Sequence, residues 1–147
     1  MTGSGPVLDR LMSEQFTKDF LPLFKYIQKR AHRNSKDHGF WDILEYIDSM
    51  EEECIMSPPK ADGLRDAVQA QKIALIHSEV SEMLEAMREP TKQCEKVPGI
   101  TAMEEECADL LIRLMDFCQA YGLRLGLATL LKMEFNAGRP HKHGKRF

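Results

Sequence analysis

Apolar residues recur along most of this chain at intervals of three and four, the period of an amphipathic α-helix, without the alternation typical of a strand. The first run predicts a helix from residue 8 to about residue 36. Pro22 is expected to divide it into a short lead-in and a main helix, because proline suits a first helical turn and disrupts an interior one. Residues 34–41 break the period and are predicted to form a loop that turns at Gly39.

The middle of the chain predicts two further helices with a break between them. A weakly patterned helix is expected from residue 42 to about residue 54. The stretch 57–63, which contains two prolines and a glycine, is expected to interrupt helical structure. The apolar period is strongest from about residue 64 to residue 89, and Pro90 ends it.

The C-terminal third predicts two more helices. Thr101 and Glu104 have the spacing of a capping box, in which each side chain satisfies a main-chain N–H of the first helical turn. The helix that they begin is predicted to end at about Tyr121, with Gly122 just beyond it. A last helix is predicted from about residue 123 to residue 137.

The chain of 147 residues has the length of one domain and contains no internal repeat. We therefore expect a single all-α domain over residues 1–147, built as a four- to five-helix bundle. Residues 1–8 are expected to be a flexible start, and residues 138–147 a basic tail. The first of these is small and polar, and the second is rich in arginine, lysine and histidine.

The formal net charge of -3 argues against broad binding to nucleic acid or to a membrane surface. No segment reaches the roughly 18 apolar residues of a membrane span, and the N-terminus lacks the basic and apolar regions of a secretion signal. The four cysteines have no C-x-x-C spacing and are typical of free thiols in a reducing compartment. We expect a cytoplasmic protein with neither a membrane partner nor a stable nucleic-acid partner.

Two acidic pairs carry the strongest chemical signal in the chain. Glu79 and Glu82 lie three residues apart in one predicted helix, and Glu106 and Asp109 lie three apart in another. Residues at this spacing project from the same side, so two antiparallel helices that face each other would bring four carboxylates together. Because crowded like charges repel each other and lose hydration, such a cluster is tolerable only with a cation among them.

The available ligand types narrow the identity of that cation. Glu79 falls inside the apolar arc of its helix, where a carboxylate needs a salt-bridge partner or a metal. None of the five histidines follows a glutamate by three residues, so the Glu-x-x-His pattern of di-iron bundles is absent. An all-oxygen site favours Mg²⁺, with Mn²⁺ as the alternative. The competing interpretation is a solvated acidic face on which Asp109 pairs with Arg113, four residues later.

Three stretches together resemble the MazG-like all-α nucleoside triphosphate pyrophosphohydrolases. They are residues 72–86 with Glu79-Val-Ser-Glu82, residues 105–111 with Glu106-Cys-Ala-Asp109, and residues 132–136 with the tail that follows. The family signature is E-x-x-E, a spacer and then E-x-x-D, and the tail is similar to that of small bacterial and phage members. The resemblance covers about residue 31 to the C-terminus.

This resemblance implies Mg²⁺-dependent hydrolysis of a (deoxy)nucleoside triphosphate between the α and β phosphates, which yields the monophosphate and pyrophosphate. It implies that the four carboxylates are both the catalytic residues and the metal ligands. Lys132 and Asn136 match the family positions that contact phosphate and sugar, and Arg139 follows within reach as a further phosphate ligand. Without the motif, Lys132 and Arg139 would equally be solvated surface residues. The family also implies a homodimer or homotetramer, whose site a neighbouring subunit can complete.

Three other candidate substrate-binding residues have two interpretations. Lys72 either neutralises Glu79, two helical turns later, or binds phosphate. His38 and Trp41 belong to a His-Gly-Phe-Trp segment, and family members that resemble this chain carry a Gly-Phe-Trp here. Related pyrophosphatases hold the nucleotide base with aromatic residues that precede the first acidic helix. Alternatively, Trp41 anchors this loop to the core.

Two other functions remain open at the level of the sequence. The same chemistry could act on another nucleotide, such as a phosphoribosyl-ATP. The chain could also be a non-catalytic interaction or regulatory module that has retained the helical bundle. Pyrophosphate release measured across a nucleotide panel separates the three.

Overall fold

A computed structural model describes residues 14–140, and over this range the chain is all-helical. Five helices follow one another: α1 (Glu14–Asp37), α2 (Asp42–Glu52), α3 (Pro58–Ala86), α4 (Ala102–Ala120) and α5 (Leu125–Ala137). No strand forms within residues 14–140, and the predicted all-α class is confirmed. The predicted flexible start, the beginning of the predicted first helix and residues 141–147 of the predicted tail lie outside the described residues.

Helix α4 is the centre of the packing, since it lies against both α1 and α3. Helix α2 covers the first half of α3, and Ile47, Ala61 and Val68 form a small buried core between these two helices. Helix α5 packs mainly against α1. Within the described range, no helix combines the length and the apolarity that crossing a membrane requires.

Helix α1 runs without interruption through Pro22, so the predicted division at this residue is wrong. Proline removes one main-chain hydrogen bond, but side-chain contacts connect the turns on either side of it. The rings of Phe16 and Phe20 stack with their centroids 5.5 Å apart, and Phe20 contacts Phe24 at 5.2 Å. The helix also extends further than predicted, to Asp37, before the chain turns at Gly39 with a φ of 77°, as predicted.

Helix α3 begins at Pro58, so the prediction that residues 57–63 interrupt helical structure is wrong. The two prolines occupy the first helical positions, where the main-chain N–H has no intrahelical partner and its loss costs little. Ala61 is fully buried against α2, which makes the first turn of α3 part of the core. The break between α2 and α3 is therefore confined to residues 53–57.

The loop between α3 and α4 is fastened to the start of α4. Thr101 and Glu104 form the predicted capping box: the Thr101 hydroxyl accepts from the Glu104 N–H at 3.2 Å, and the Glu104 carboxylate accepts from the Thr101 N–H at 2.7 Å. The buried thiol of Cys94 donates to the Glu105 carboxylate at 3.0 Å. These bonds hold the loop against the first turn of α4, shortly before Glu106.

Candidate functional site

Three carboxylates converge between α3 and α4. Glu79 and Glu82 project from α3 and Glu106 from α4, and one oxygen of each lies within 4.8 Å of the other two. Only 2% of Glu79 is exposed, Glu106 is half-buried and Glu82 is exposed, so the group opens to solvent on the Glu82 side. We call these three residues the acidic cluster.

The fourth predicted carboxylate, Asp109, is not a member of the acidic cluster but lies close enough to act on it. Burial raises the pKa of Glu79, and the charges of Glu82 and Asp109 raise it further. Burial also raises the pKa of Glu106, with added repulsion from the neighbouring carboxylates. The charged forms of these groups are therefore unfavourable unless positive charge is supplied.

Arg113 supplies part of that charge. Its Nε lies 2.6 Å from Oε1 of the buried Glu79. This short contact is an ion pair, and it opposes the rise in the pKa of Glu79 that burial causes. Of the two sequence interpretations of Lys72, counter-ion or phosphate ligand, the first is wrong, because Arg113 neutralises Glu79. The i,i+4 pair of Arg113 with Asp109 is likewise replaced by this contact across the two helices.

A cavity of about 200 Å³ adjoins the acidic cluster. Its wall contains two cationic, two acidic and two aromatic side chains: Lys72, Arg113, Asp109, Asp116, Phe40 and Phe117. Because Arg113 belongs both to this wall and to the ion pair with Glu79, the cavity and the cluster share a side chain. A ligand in the cavity would contact aromatic surface and the side chains of Lys72 and Arg113, whereas Glu79, Glu82 and Glu106 do not line the wall.

No protein-family model, curated protein or solved structure matches the chain.

Lys72 lies at the inner side of the cavity. Its Nζ donates to the main-chain carbonyl of Phe40 and is 4.4 Å from the centre of the Trp41 ring. Burial lowers the pKa of Lys72, and the nearby charge of Arg113 lowers it further, while Asp116 acts in the opposite direction. The ammonium group is thus fixed by a carbonyl and an aromatic face in the wall of the cavity.

Trp41 is almost fully buried, with 3% of its surface exposed. Its Nε1 donates to both carboxylate oxygens of Asp116, at 2.9 and 3.2 Å. The same carboxylate accepts a hydrogen bond from the Ser35 hydroxyl at 2.7 Å and contacts Nδ1 of His32 at 2.7 Å. Trp41 therefore has the environment of a core anchor, the second of its two sequence interpretations. The neighbouring Phe40, 60% exposed, is the aromatic residue of this segment that lines the cavity.

The remaining predicted substrate-binding residues lie away from the cavity wall. His38 is exposed, and its Nδ1 contacts the main-chain oxygen of Asn34 at 2.8 Å. Lys132, Asn136 and Arg139 are exposed at the end of α5. Lys132 and Arg139 both lie over the ring of Phe135, with Nζ and Cζ 4.6 and 5.8 Å from its centre. Within one subunit, none of these residues lines the cavity beside the acidic cluster.

The sequence analysis considered Arg113 only as the i,i+4 partner of Asp109 in the competing interpretation, and it did not single out Asp116. A signal for Arg113 was present, since it follows Glu106 by seven residues, close to two helical turns, and so lies on the same side of α4. The role of Asp116 has no comparable signal. Its partners come from α1 and from the turn after it, more than 70 positions earlier in the chain.

Proposed function

We propose that the protein is a Mg²⁺-dependent nucleotide pyrophosphohydrolase of the MazG-like type. It would cleave a (deoxy)nucleoside triphosphate between the α and β phosphates, giving the monophosphate and pyrophosphate. The observation that supports this most directly is the acidic cluster between α3 and α4, next to a cavity whose wall contains Lys72 and Arg113. A hard divalent cation would suit the acidic cluster, and a phosphate chain would suit the cationic side chains of the cavity wall.

The donor set fits the proposed cation. All three side chains of the acidic cluster offer carboxylate oxygens, the ligands that Mg²⁺ and Mn²⁺ prefer. Glu79 is almost fully buried, and its Oε1 has the Arg113 guanidinium as its cationic partner, which indicates that this position needs positive charge. Glu79, Glu82 and Glu106 would hold the ion, and Asp109 would add negative charge beside it. When bound, the ion neutralises phosphate oxygens and lowers the pKa of water.

The side chains around the cluster would divide the remaining tasks. Glu82 is the exposed member and can accept the proton of an attacking water. Lys72 and Arg113 can donate to phosphate oxygens from the cavity wall. Phe40 exposes its ring there and can stack on a nucleotide base. Hydrolysis would then depend on positioning and electrostatics, as is usual for phosphoryl-transfer chemistry.

We further propose that the active form is a homodimer or homotetramer. Several helices expose large apolar side chains, among them Leu84 on α3 with Met87 just after it, Leu111 on α4, and Leu131 and Phe135 on α5. Exposed apolar surface of this extent is typical of a protein–protein interface. Assembly would also give Lys132, Asn136 and Arg139 a route to the cluster of a neighbouring subunit, as the family resemblance implies.

The proposal is tested by measuring pyrophosphate and monophosphate formation with Mg²⁺ over the deoxy- and ribonucleoside triphosphates and a phosphoribosyl-ATP. We expect Glu79→Gln and Glu82→Gln each to lower kcat by roughly a hundredfold, the usual size of losing a group that stabilises the transition state. Glu85→Gln is the matched control, because Glu85 follows Glu82 on α3 but is exposed and paired with Arg88.

Each result separates two candidate functions. Release of pyrophosphate from phosphoribosyl-ATP alone would support the proposed reaction but identify a different substrate. Absence of any Mg²⁺-dependent product, with Glu79→Gln affecting stability alone, would instead indicate a non-catalytic interaction module. Equal losses of activity in Glu79→Gln and Glu85→Gln would show that the acidic cluster is not the reaction centre.

A further inference from the structure

Arg113 touches two regions that a bound cation and a bound anion would occupy. One side of its guanidinium is 2.6 Å from the buried Glu79 carboxylate of the acidic cluster. The residue also lines the adjoining cavity, and 43% of its side chain is exposed. It is therefore partly held by a carboxylate and partly free to turn towards a ligand.

The ion pair is of a kind that can be exchanged. Glu79 is almost completely buried among other carboxylates and needs positive charge near it. Arg113 provides that charge through its Nε, while its own side chain remains partly exposed. The guanidinium can therefore turn away from the carboxylate into solvent or towards a ligand, which a fully buried pair could not do without leaving both charges unpaired. A divalent cation in the cluster would satisfy the same oxygen and repel the guanidinium.

The cavity offers Arg113 an alternative partner when a phosphate is present. Asp116, the buried acid in the wall, already contacts His32, Ser35 and Trp41. Lys72 adds a second positive charge to the same wall. A guanidinium released from Glu79 would lie in a wall that also contains Lys72 and Asp109, where its planar fork suits the phosphate oxygens of a ligand.

We propose that Arg113 is an exchangeable counter-ion that pairs with Glu79 in the cation-free protein and binds a substrate phosphate once a divalent cation replaces it. The inference rests on the proposed function and adds an order to it: cation binding prepares the anion site. The protein would then bind a phosphate chain weakly until the acidic cluster is neutralised. Its two binding events would be positively coupled through one side chain.

The first experiment measures Mn²⁺ binding by titration calorimetry without nucleotide, for the wild type, Arg113→Gln and Arg88→Gln. Arg113→Gln removes the competing charge, so Mn²⁺ affinity should rise about fivefold or more. Arg88→Gln removes one positive charge from an exposed pair on α3 and should leave the affinity at the wild-type value. Arg113→Lys, which keeps the charge, is a second variant and should also bind Mn²⁺ like the wild type.

The second experiment measures the affinity for inorganic tripolyphosphate in excess Mg²⁺. Arg113→Gln should bind this probe roughly tenfold more weakly, because a charged hydrogen bond to phosphate is lost. Opposite changes in the two affinities are the signature of the exchange. An arginine with a merely structural role would weaken both, and one that only binds phosphate would leave Mn²⁺ affinity unchanged.

The outcomes separate this inference from the proposed function. If the wild type binds Mn²⁺ and Arg113→Gln binds it no more tightly, the exchange is overturned and the metal site stands. If the wild type binds no Mn²⁺, the proposed function fails, and the exchange fails with it. A rise in Mn²⁺ affinity in Arg113→Gln without any loss of tripolyphosphate binding would also overturn the exchange.

Discussion

The indole N–H of Trp41 donates to the carboxylate of Asp116, 75 positions later in the chain, and the two groups are both buried. This pair connects the turn after α1 to the middle of α4. The same turn carries Phe40 at the edge of the cavity. The position of the exposed Phe40 ring therefore depends on the buried hydrogen bond between Trp41 and Asp116.

Replacing the indole should therefore weaken the fold. Trp41→Phe removes the donor and leaves an oxygen of Asp116 less satisfied, so the free energy of unfolding should fall by about 1–3 kcal/mol. Urea denaturation followed by circular dichroism measures the change. Tyr46→Phe, at an exposed ring on α2, is the control and should leave the midpoint in place. An unchanged midpoint in Trp41→Phe would contradict the anchor role.

Phe40 should affect ligand binding and Trp41 should not contact the ligand. Phe40→Ala is expected to raise the KM for nucleotides by roughly tenfold, since stacking on a base contributes on the order of 1–3 kcal/mol. Its effect on tripolyphosphate binding should be small, because that probe has no base. Tyr46→Ala removes an equally exposed ring elsewhere and is the matched control. Equal losses for tripolyphosphate and nucleotide would assign Phe40 a structural role.

The acidic cluster should make stability depend on pH in the absence of divalent cations. The pKa of Glu106 is raised in the folded protein, so the proton is bound more tightly when the chain is folded. The resulting stabilisation is complete below the ordinary glutamate pKa of about 4.3 and is lost as the pH rises through the folded value. Relative to Glu106→Gln, the wild type should thus lose stability as the pH rises.

Glu104, also on α4, should make the free energy of unfolding depend on pH in the opposite direction. Its pKa is lowered because it accepts the main-chain N–H and the hydroxyl of Thr101. Its contribution is present above the ordinary glutamate pKa and is lost as the pH falls through the folded value. Unfolding of the wild type, Glu104→Gln and Glu106→Gln in a chelator, followed over pH, should show the two variants diverging from the wild type in opposite directions. Parallel curves would contradict the assignment.

Mixed assemblies test whether two subunits share one site. Glu79→Gln lacks a member of the acidic cluster, and Lys132→Ala lacks the proposed phosphate ligand on α5. If α5 of one subunit completes the site of its neighbour, each variant alone should be inactive. Mixing the two should then restore activity, because some sites combine an intact acidic cluster with an intact Lys132. Mixing Glu79→Gln with Glu82→Gln should restore none, since both changes affect the same side of the site. Equal activity in the two mixtures would contradict a shared site.

The helical architecture could be predicted from apolar spacing, and local capping signals placed the start of α4 correctly. The two errors have different physical causes. Contacts between Phe16, Phe20 and Phe24, one turn apart on α1, continue across Pro22. In the stretch 57–63 the prolines occupy the first helical positions, and Ala61 is buried against α2. Local preference is a weak term where a helix has a partner along its length.

The acidic residues of the candidate site were also predictable, since the three-residue spacing fixes which side of each helix they occupy. The partner of Glu79 was harder to predict. Lys72 lies on the same helix two turns earlier, and Arg113 reaches Glu79 from α4 only because of how the two helices are paired. The same holds for Trp41, whose burial depends on an acid far away in the sequence. Contacts between helices, unlike positions on a helix, are not encoded in a local period.

The fastening of the α3–α4 loop has a consequence for how the molecule opens. Cys94 and the capping box fix one end of the helix pair, while repulsion among carboxylates acts further along it. Transient separation of α3 from α4 should then begin at the cluster, between the fastened loop and the buried segment 115–118 of α4. Amide hydrogen exchange would report this as faster exchange around Asp109 than around Met115, and a cation in the cluster would slow it.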